Sequence, residues 1–261
     1  MSATTPVRKP RKAIVIAVIV VAALAVIAVA LWAVEAWARQ QVADYVTAKV
    51  REVLSLESDH PVSVEIAGFS VVGQAVTGTL EQIDVQVDDV RLGELSGGIA
   101  LTARGIPVDM SKPVDRVQIE FSAGEESIRS VAHLLSASQI DDVQIEGSEI
   151  RFGSEFSLFG LPIVIDVGME PFAAEGEIGF TPTSVSINGA RASVADLTDR
   201  FGSFADPLFA SRSICVAGWL PAALRLETAV IRDDELVVGI GADGRVFTEA
   251  SLRELGSCPD D

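Results

Sequence analysis

Apolar and polar positions divide the chain into three regimes. Ala13 through Val34 is a run of 22 residues without a charge, built almost wholly from Ala, Val, Ile and Leu. From Trp37 to Leu56 the apolar residues Val42, Tyr45, Val46, Val50, Val53 and Leu54 fall at helical spacing on one stripe. After His60-Pro61 the period changes to two. Val62, Val64 and Ile66 alternate with polar residues, as do Ile83, Val85 and Val87, then Ile99, Leu101 and Ala103, then Val117, Ile119 and Phe121. The pattern returns at Val143 and Ile145, at Ile163, Ile165 and Val167, and at Val185 and Ile187. It closes with Leu224 and Leu226, and with Leu236, Val238 and Ile240. Such alternation predicts antiparallel strands with one buried and one wet face. Gly97-Gly98 and Asp243-Gly244 read as tight hairpins between them. Two more helices are predicted, over Glu125 to Leu135 and Ser193 to Phe204.

The uncharged run spans roughly 33 Å as a helix, enough to cross a hydrocarbon core of about 30 Å. Arg8, Lys9, Arg11 and Lys12 precede it and should remain cytoplasmic, which places the C-terminal bulk outside. Trp32 and Trp37 stand where an interfacial aromatic belt is expected. The competing reading is a secretory signal cleaved after Ala38, since Ala36-Trp37-Ala38 has the small-x-small pattern; the run is longer than a usual signal core. Both readings export the domain. The expected organisation is a basic tail at 1–12, a transmembrane anchor at 13–34, an extracytoplasmic domain at 37–248 and a C-terminal tail at 249–261. No Pro or Gly separates the span from the amphipathic stripe, so the domain should sit close to the bilayer.

Roughly ten strand patterns each present an apolar face, and only three amphipathic helices are available to cover them. The expected fold is α+β, a curled antiparallel sheet that packs on a second sheet or wraps around a long amphipathic helix. Its Val- and Ile-rich lining suits a dry core or a tunnel for acyl chains, and composition does not choose between them.

Charge narrows the partners. The formal net charge is −17, and beyond Glu35 the chain carries 16 Lys and Arg against 36 Asp and Glu. A field of that sign repels phosphates, which argues against nucleic acid and against adsorption to anionic lipid through basic residues. The two cysteines, Cys215 and Cys258, read as one disulfide in an oxidising compartment, with two free buried thiols as the alternative.

Candidate chemistry is sparse. His60 and His133 are the only histidines, and each reads as an ordinary structural residue. Gly239 through Gly244 matches G-x-G-x-x-G, but only 17 residues follow, too few for a nucleotide-binding crossover. Carboxylate pairs at Asp88-Asp89, Glu125-Glu126, Asp141-Asp142 and Asp233-Asp234 lack the spacing of a known metal loop and read as solvated doublets. No catalytic residue, metal or cofactor is expected. Apolar residues in broken stretches stand out instead: Phe152 to Pro162, Phe204 to Phe209, and Gly218-Trp219-Leu220-Pro221. These read either as contact loops or as lids on the core.

The succession from the helix after the anchor, through Val62-Ser-Val-Glu-Ile-Ala-Gly68-Phe69-Ser70 and Gly73-Gln74-Ala-Val-Thr-Gly78, to the alternating strand Ile83 to Val90 carries a resemblance. It resembles the LmeA-like family, exported phospholipid-binding proteins of actinobacterial envelopes associated with lipomannan elongation. Ser70 stands where that family has Pro, and Val71-Val72 where it has Phe and Leu. The resemblance covers about residues 37 to 245 and implies a fold similar to the tubular lipid-binding superfamily, a curled sheet around a long helix with an apolar groove. It implies a non-enzymatic protein that binds a phospholipid or related envelope lipid in support of lipoglycan assembly. Acyl chains would then lie against Val46, Val50 and Val53 of the helix and against Ile83, Val85, Val87, Ile99, Leu101, Val117 and Ile119 of the sheet. Phe156 and Phe159 would stand near the mouth. Head-group phosphate would need Arg104, Arg151 or Arg191 locally placed for it. The alternatives are an envelope scaffold with a dry core and unknown protein partners, or a carboxylate-dependent lipid or glycan hydrolase.

Overall fold

The computed structural model describes residues 11–132, 140–158, 161–201 and 211–259. Helix α1, Arg11–Val53, runs 43 residues without a Gly or Pro to break it. It is about 65 Å long at 1.5 Å per residue, and it joins the apolar run to the amphipathic stripe as one rod. Its side chains are described from Leu24 onward, and among the described residues no helix is long and apolar enough to cross a membrane.

Two six-stranded antiparallel sheets follow. The first has the order β1-β2-β3-β4-β12-β11, from Ser63–Ile66 (β1), Thr79–Leu92 (β2), Leu95–Pro107 (β3), Val114–Ala123 (β4), Arg225–Arg232 (β11) and Glu235–Arg245 (β12). The chain leaves this sheet at Ala123, builds the second, and returns with β12 beside β4. The second sheet has the order β10-β8-β7-β6-β5, from Asp142–Glu146 (β5), Glu149–Leu158 (β6), Leu161–Ala174 (β7), Glu177–Ile187 (β8) and Arg212–Cys215 (β10). Ala190–Ser193 (β9) also pairs with β8. Among the described residues, short helices at Val71–Thr77 (α2), Glu125–Val131 (α3), Val194–Phe201 (α4) and Glu249–Arg253 (α5) and a 3-10 turn at Ala217–Trp219 complete the elements.

Two cores hold these parts together. In one, Val42, Val46, Val50 and Leu54 from α1 and its final turn pack on Ile66, Val71, Ile83, Val85, Val87 and Val90. In the other, α3 supplies Ile128 and joins the sheets: Ala123, Phe121, Ile231 and Leu236 of the first meet Val143, Ile150, Phe152 and Phe180 of the second. Ile150, Val87, Val90 and Val143 are the largest fully buried side chains described. Burying each contributes about 1.5–3 kcal/mol relative to leaving it in water.

The expectation of one curled sheet wrapped around a helix is corrected to two open sheets, with α1 laid across part of one. One stripe of α1 is too narrow to cover six strands, and the second sheet covers the end carrying Phe121, Ile231 and Leu236. Gly97-Gly98 is not a hairpin; both lie inside β3, whose hairpin with β2 turns at Gly93 and Glu94. Gly97 is required there because a Cβ would meet the Ser122 carbonyl oxygen at 2.0 Å. Asp243-Gly244 is likewise internal to β12, where Asp243 pairs with Arg116 and Arg245 with Val114. The broken stretch from Phe152 is no loop: it forms the arms of the β6–β7 hairpin, and Phe152 is core. Helix α3 includes part of the predicted 125–135 helix, and His133 lies outside the described residues. Helix α4 ends at Phe201, and Phe204 through Phe209 lie outside them too.

Cys215 and Cys258 form a disulfide with Cα atoms 6.0 Å apart. It holds the C-terminal tail, which also bonds the 220–222 segment through Ala222 N–H to the Glu254 carbonyl (2.8 Å) and Gly256 N–H to the Leu220 carbonyl (2.9 Å).

Candidate lipid-binding face

Period-two strands in register align their apolar residues into cross-strand rows. On the inner face of the first sheet one row runs Val87, Ile99, Phe121, Val238, Ala229. The next runs Val85, Leu101, Ile119, Ile240, Leu226, and the third runs Ile83, Ala103, Val117, Ala242. Together they form one apolar surface, the first two rows crossing five strands and the third four.

Cover over this surface is uneven. At the β1–β2 side α1 seals it, and Ile83, Val85 and Val87 are buried beneath Val46 and Val50. At the end carrying Phe121 and Val238 the second sheet closes it, with β7 packed beside β11. Between these covers Leu101, Val117, Ile119, Ile240 and Leu226 stay half-buried. Leu101 packs in part against the core beneath α1, and with the other four it makes the half-buried part of the face.

The sequence-derived residues therefore separate. Val46, Val50, Ile83, Val85 and Val87 form the wall and floor of a packed core. Ile99 packs against that core at the edge of the half-buried strip, and Leu101, Val117 and Ile119 belong to the strip itself. Val53 ends α1 at 78% exposure, and Leu54 and Leu56 of the following turn take the core positions instead. Phe156 is 48% exposed at the open end of the second sheet's apolar face, opposite Ile163, and Phe159 lies outside the described residues. Ile240 and Leu226 were missing from the sequence-derived set. Their alternation was visible, but nothing local reveals that β12 lies beside β4.

The opposite face is polar. A depression of about 520 Å³ there is lined by Asp88, Asp89, Glu125, Glu126 and Glu235, among others. A lining of carboxylates suits neither an acyl chain nor a phosphate. Among the described residues no group of three or more His, Cys, Asp or Glu could hold a metal ion. Two of the three candidate arginines are already committed: Arg151 to Glu146 (2.9 Å) and Asp166 (3.5 Å), Arg191 to Glu149 and Glu146. Arg104 donates through Nε to Gln82 Oε1 at 3.0 Å. His60 is structural: its ring bonds the Asp88 carbonyl at 2.8 Å, and its own carbonyl accepts from Arg51.

A polar clamp fixes α1 to the sheet. Glu35 accepts hydrogen bonds from Val71 N–H (2.6 Å), Ser70 Oγ (2.8 Å) and Val72 N–H (3.3 Å). Arg39 pairs with Glu35 at 3.2 Å and donates to the carbonyls of Ile66 and Gly68. The Val71 amide above all, with Ser70, Val72 and Arg39, holds the Glu35 carboxyl below the usual glutamate range, against an opposing desolvation effect. The clamp escaped the sequence reading because it joins residues 35 positions apart. Its one local signal is Ser70, which caps α2 by accepting from Gly73 N–H at 3.0 Å.

The fold is thus an antiparallel sheet with a largely apolar face, partly covered by one helix. A family model described as LmeA-like phospholipid-binding matches residues 29–240, most of the chain, and the protein belongs to that family. The match begins within the apolar run and ends at Ile240 in β12. No curated protein and no solved structure gives a significant match.

Proposed function

We propose that this protein is a non-enzymatic binder of a phospholipid or related envelope lipid, held on the outer side of the plasma membrane in support of lipoglycan assembly. The observation that carries the reading is the half-buried strip Leu101, Val117, Ile119, Ile240 and Leu226 beside α1, in a chain of a phospholipid-binding family. Covering a few hundred Å² of acyl surface there, at about 25 cal/mol/Å², supplies several kcal/mol before ordering costs. The head group would stay near solvent, because the acidic surface and the committed Arg151 and Arg191 offer no phosphate cradle.

The anchor belongs to the same proposal. The run Ala13–Val34 and the four basic residues before it support a single span with the N-terminus cytoplasmic. Cleavage after Ala38 would instead release Glu35 from the clamp and break the ion pair with Arg39. That cost supports the retained helix.

The test is to purify the full chain in detergent from a membrane-containing host, then apply native mass spectrometry and solvent extraction. One phospholipid or envelope lipid per chain, retained through exchange into a second detergent, is expected. No bound lipid, and no uptake of added fluorescent phospholipid, would overturn the proposal.

A further inference from the structure

The described surface carries exposed apolar residues at one end of the first sheet, and the clamp decides where that end lies. Phe69 is 99% exposed and Val76 84% exposed, and Val72 is also exposed. Glu35 accepts from Ser70, Val71 and Val72, so this segment sits beside α1 at the residue directly after the apolar run. Trp32 and Trp37, both exposed, bracket that level within about 8 Å along the helix axis. Val108 N–H donates to the Gly78 carbonyl at 3.0 Å, which brings exposed Val108 and Met110 to the same end.

Charge points the same way. Ile66 through Leu80 contains no charged residue, the longest such run outside the N-terminal helix in a chain of net charge −17. An acidic domain is repelled by an anionic leaflet, and this segment is where that repulsion is least. The segment is also preformed. Gln74 is buried and bonds both the Ala67 carbonyl (2.9 Å) and Glu81 N–H (2.7 Å), and Gly78 ends α2 in the left-handed conformation at φ 87°. Little ordering cost attends its insertion into another phase.

Orientation follows from α1 and β2, which run in the same sense. The start of β2 adjoins α2 near Glu35, whereas Arg51 late in α1 reaches His60, whose ring bonds Asp88 late in β2. The half-buried strip, with Val117 in the first half of β4 and Ile119 at its middle, lies nearer Glu35 than the end sealed by the second sheet, which points away.

We infer that the Gly68–Thr77 segment, with Val108 and Met110, seats in the interfacial layer of the bilayer that α1 crosses, so that the open part of the apolar face adjoins the lipid. The contact is a membrane surface, not a protein partner. It rests on the reading of α1 as a retained anchor.

The test uses the full chain in nanodiscs of phosphatidylcholine and phosphatidylglycerol, spin-labelled one position at a time at F69C, V76C, V29C and R91C. Arg91 is exposed and lies about 40 Å along β2 from α2. Accessibility to oxygen relative to a water-soluble nickel chelate should be severalfold higher at 69 and 76 than at 91, and similar in direction to 29. Labels at 69 and 76 as open to the chelate as 91, with 29 shielded, would overturn the inference and leave the anchor standing. If 29 is also open to the chelate, the anchor reading fails and the inference falls with it.

Discussion

Glu35 and Ser70 meet through a 2.8 Å hydrogen bond that ties the exit of the apolar run to the first loop of the sheet domain. The bond makes the helix a handle with a set orientation. It adds a polar tie at the Glu35 end of α1 to the apolar packing of Val42, Val46 and Val50 further along the same helix.

Acid should open this joint. The Glu35 carboxyl titrates below the usual glutamate range, so its stabilising contribution is complete above the ordinary value of about 4.3 and is lost as pH falls through its lowered folded value. Hydrogen exchange at the Val71 and Val72 amides, corrected for intrinsic rates, should lose protection across that window. Glu35→Gln should show weak protection at every pH. A wild-type profile that loses protection already above the ordinary glutamate value, or that matches Glu35→Gln at every pH, would contradict the assignment.

Packing and binding should separate by position. Ile150 is fully buried, and Ile150→Ala should cost about 2–5 kcal/mol in denaturant unfolding. Ile119 is half-buried on the strip, and Ile119→Ser should cost less stability yet lower the lipid retained per folded chain. Equal stability losses with unchanged lipid would place the ligand elsewhere.

Gly97→Ala should destabilise by about 1–3 kcal/mol or more, because the added carbon collides with backbone and cannot be accommodated by a rotamer change. The measurement is the urea midpoint. Gly93→Ala probes the contrast: its Cβ would meet no atom within 4 Å, so only its φ of 67° opposes the change.

Reduction should loosen the C-terminus first. The Cys215–Cys258 bond separates residues 43 apart, and closing such a loop is worth about 4 kcal/mol on the chain-entropy account. A lowered melting temperature in reductant is expected, along with proteolysis beyond Arg245. The double variant C215S/C258S should melt at the reduced temperature with or without reductant.

The sequence made the strands of the first sheet legible because a half-buried antiparallel strand writes its exposure as period two. Ile83-Val85-Val87 and Ile99-Leu101 emerged that way, as did the stripe Val42-Val46-Val50. Partition into two sheets was not legible. It depends on pairings such as Ile119 with Ile240, and on contacts such as Arg232 with Glu120, 112 residues apart, which leave no local periodicity. The stretch Phe152 to Pro162 reads as broken because Gly153, Ser154 and Ser157 on a strand resemble breakers one residue at a time, whereas β7 beyond it is legible at Ile163, Ile165 and Val167. Of the candidate site, the residue types were legible and their accessibility was not. Which apolar residues lie under α1 and which beside it is decided by the breadth of one helix.

The central claim is that acyl chains lie on the strip between α1 and the second sheet. The most direct measurement is photolabelling of the full chain with a phospholipid bearing a diazirine in its acyl chain, followed by peptide mapping. Label is expected on the peptides carrying Leu101, Ile119 and Ile240, reduced by Ile119→Ser and competed by unlabelled phospholipid. Label confined to the N-terminal helix, with none on β3, β4 or β12, would contradict it.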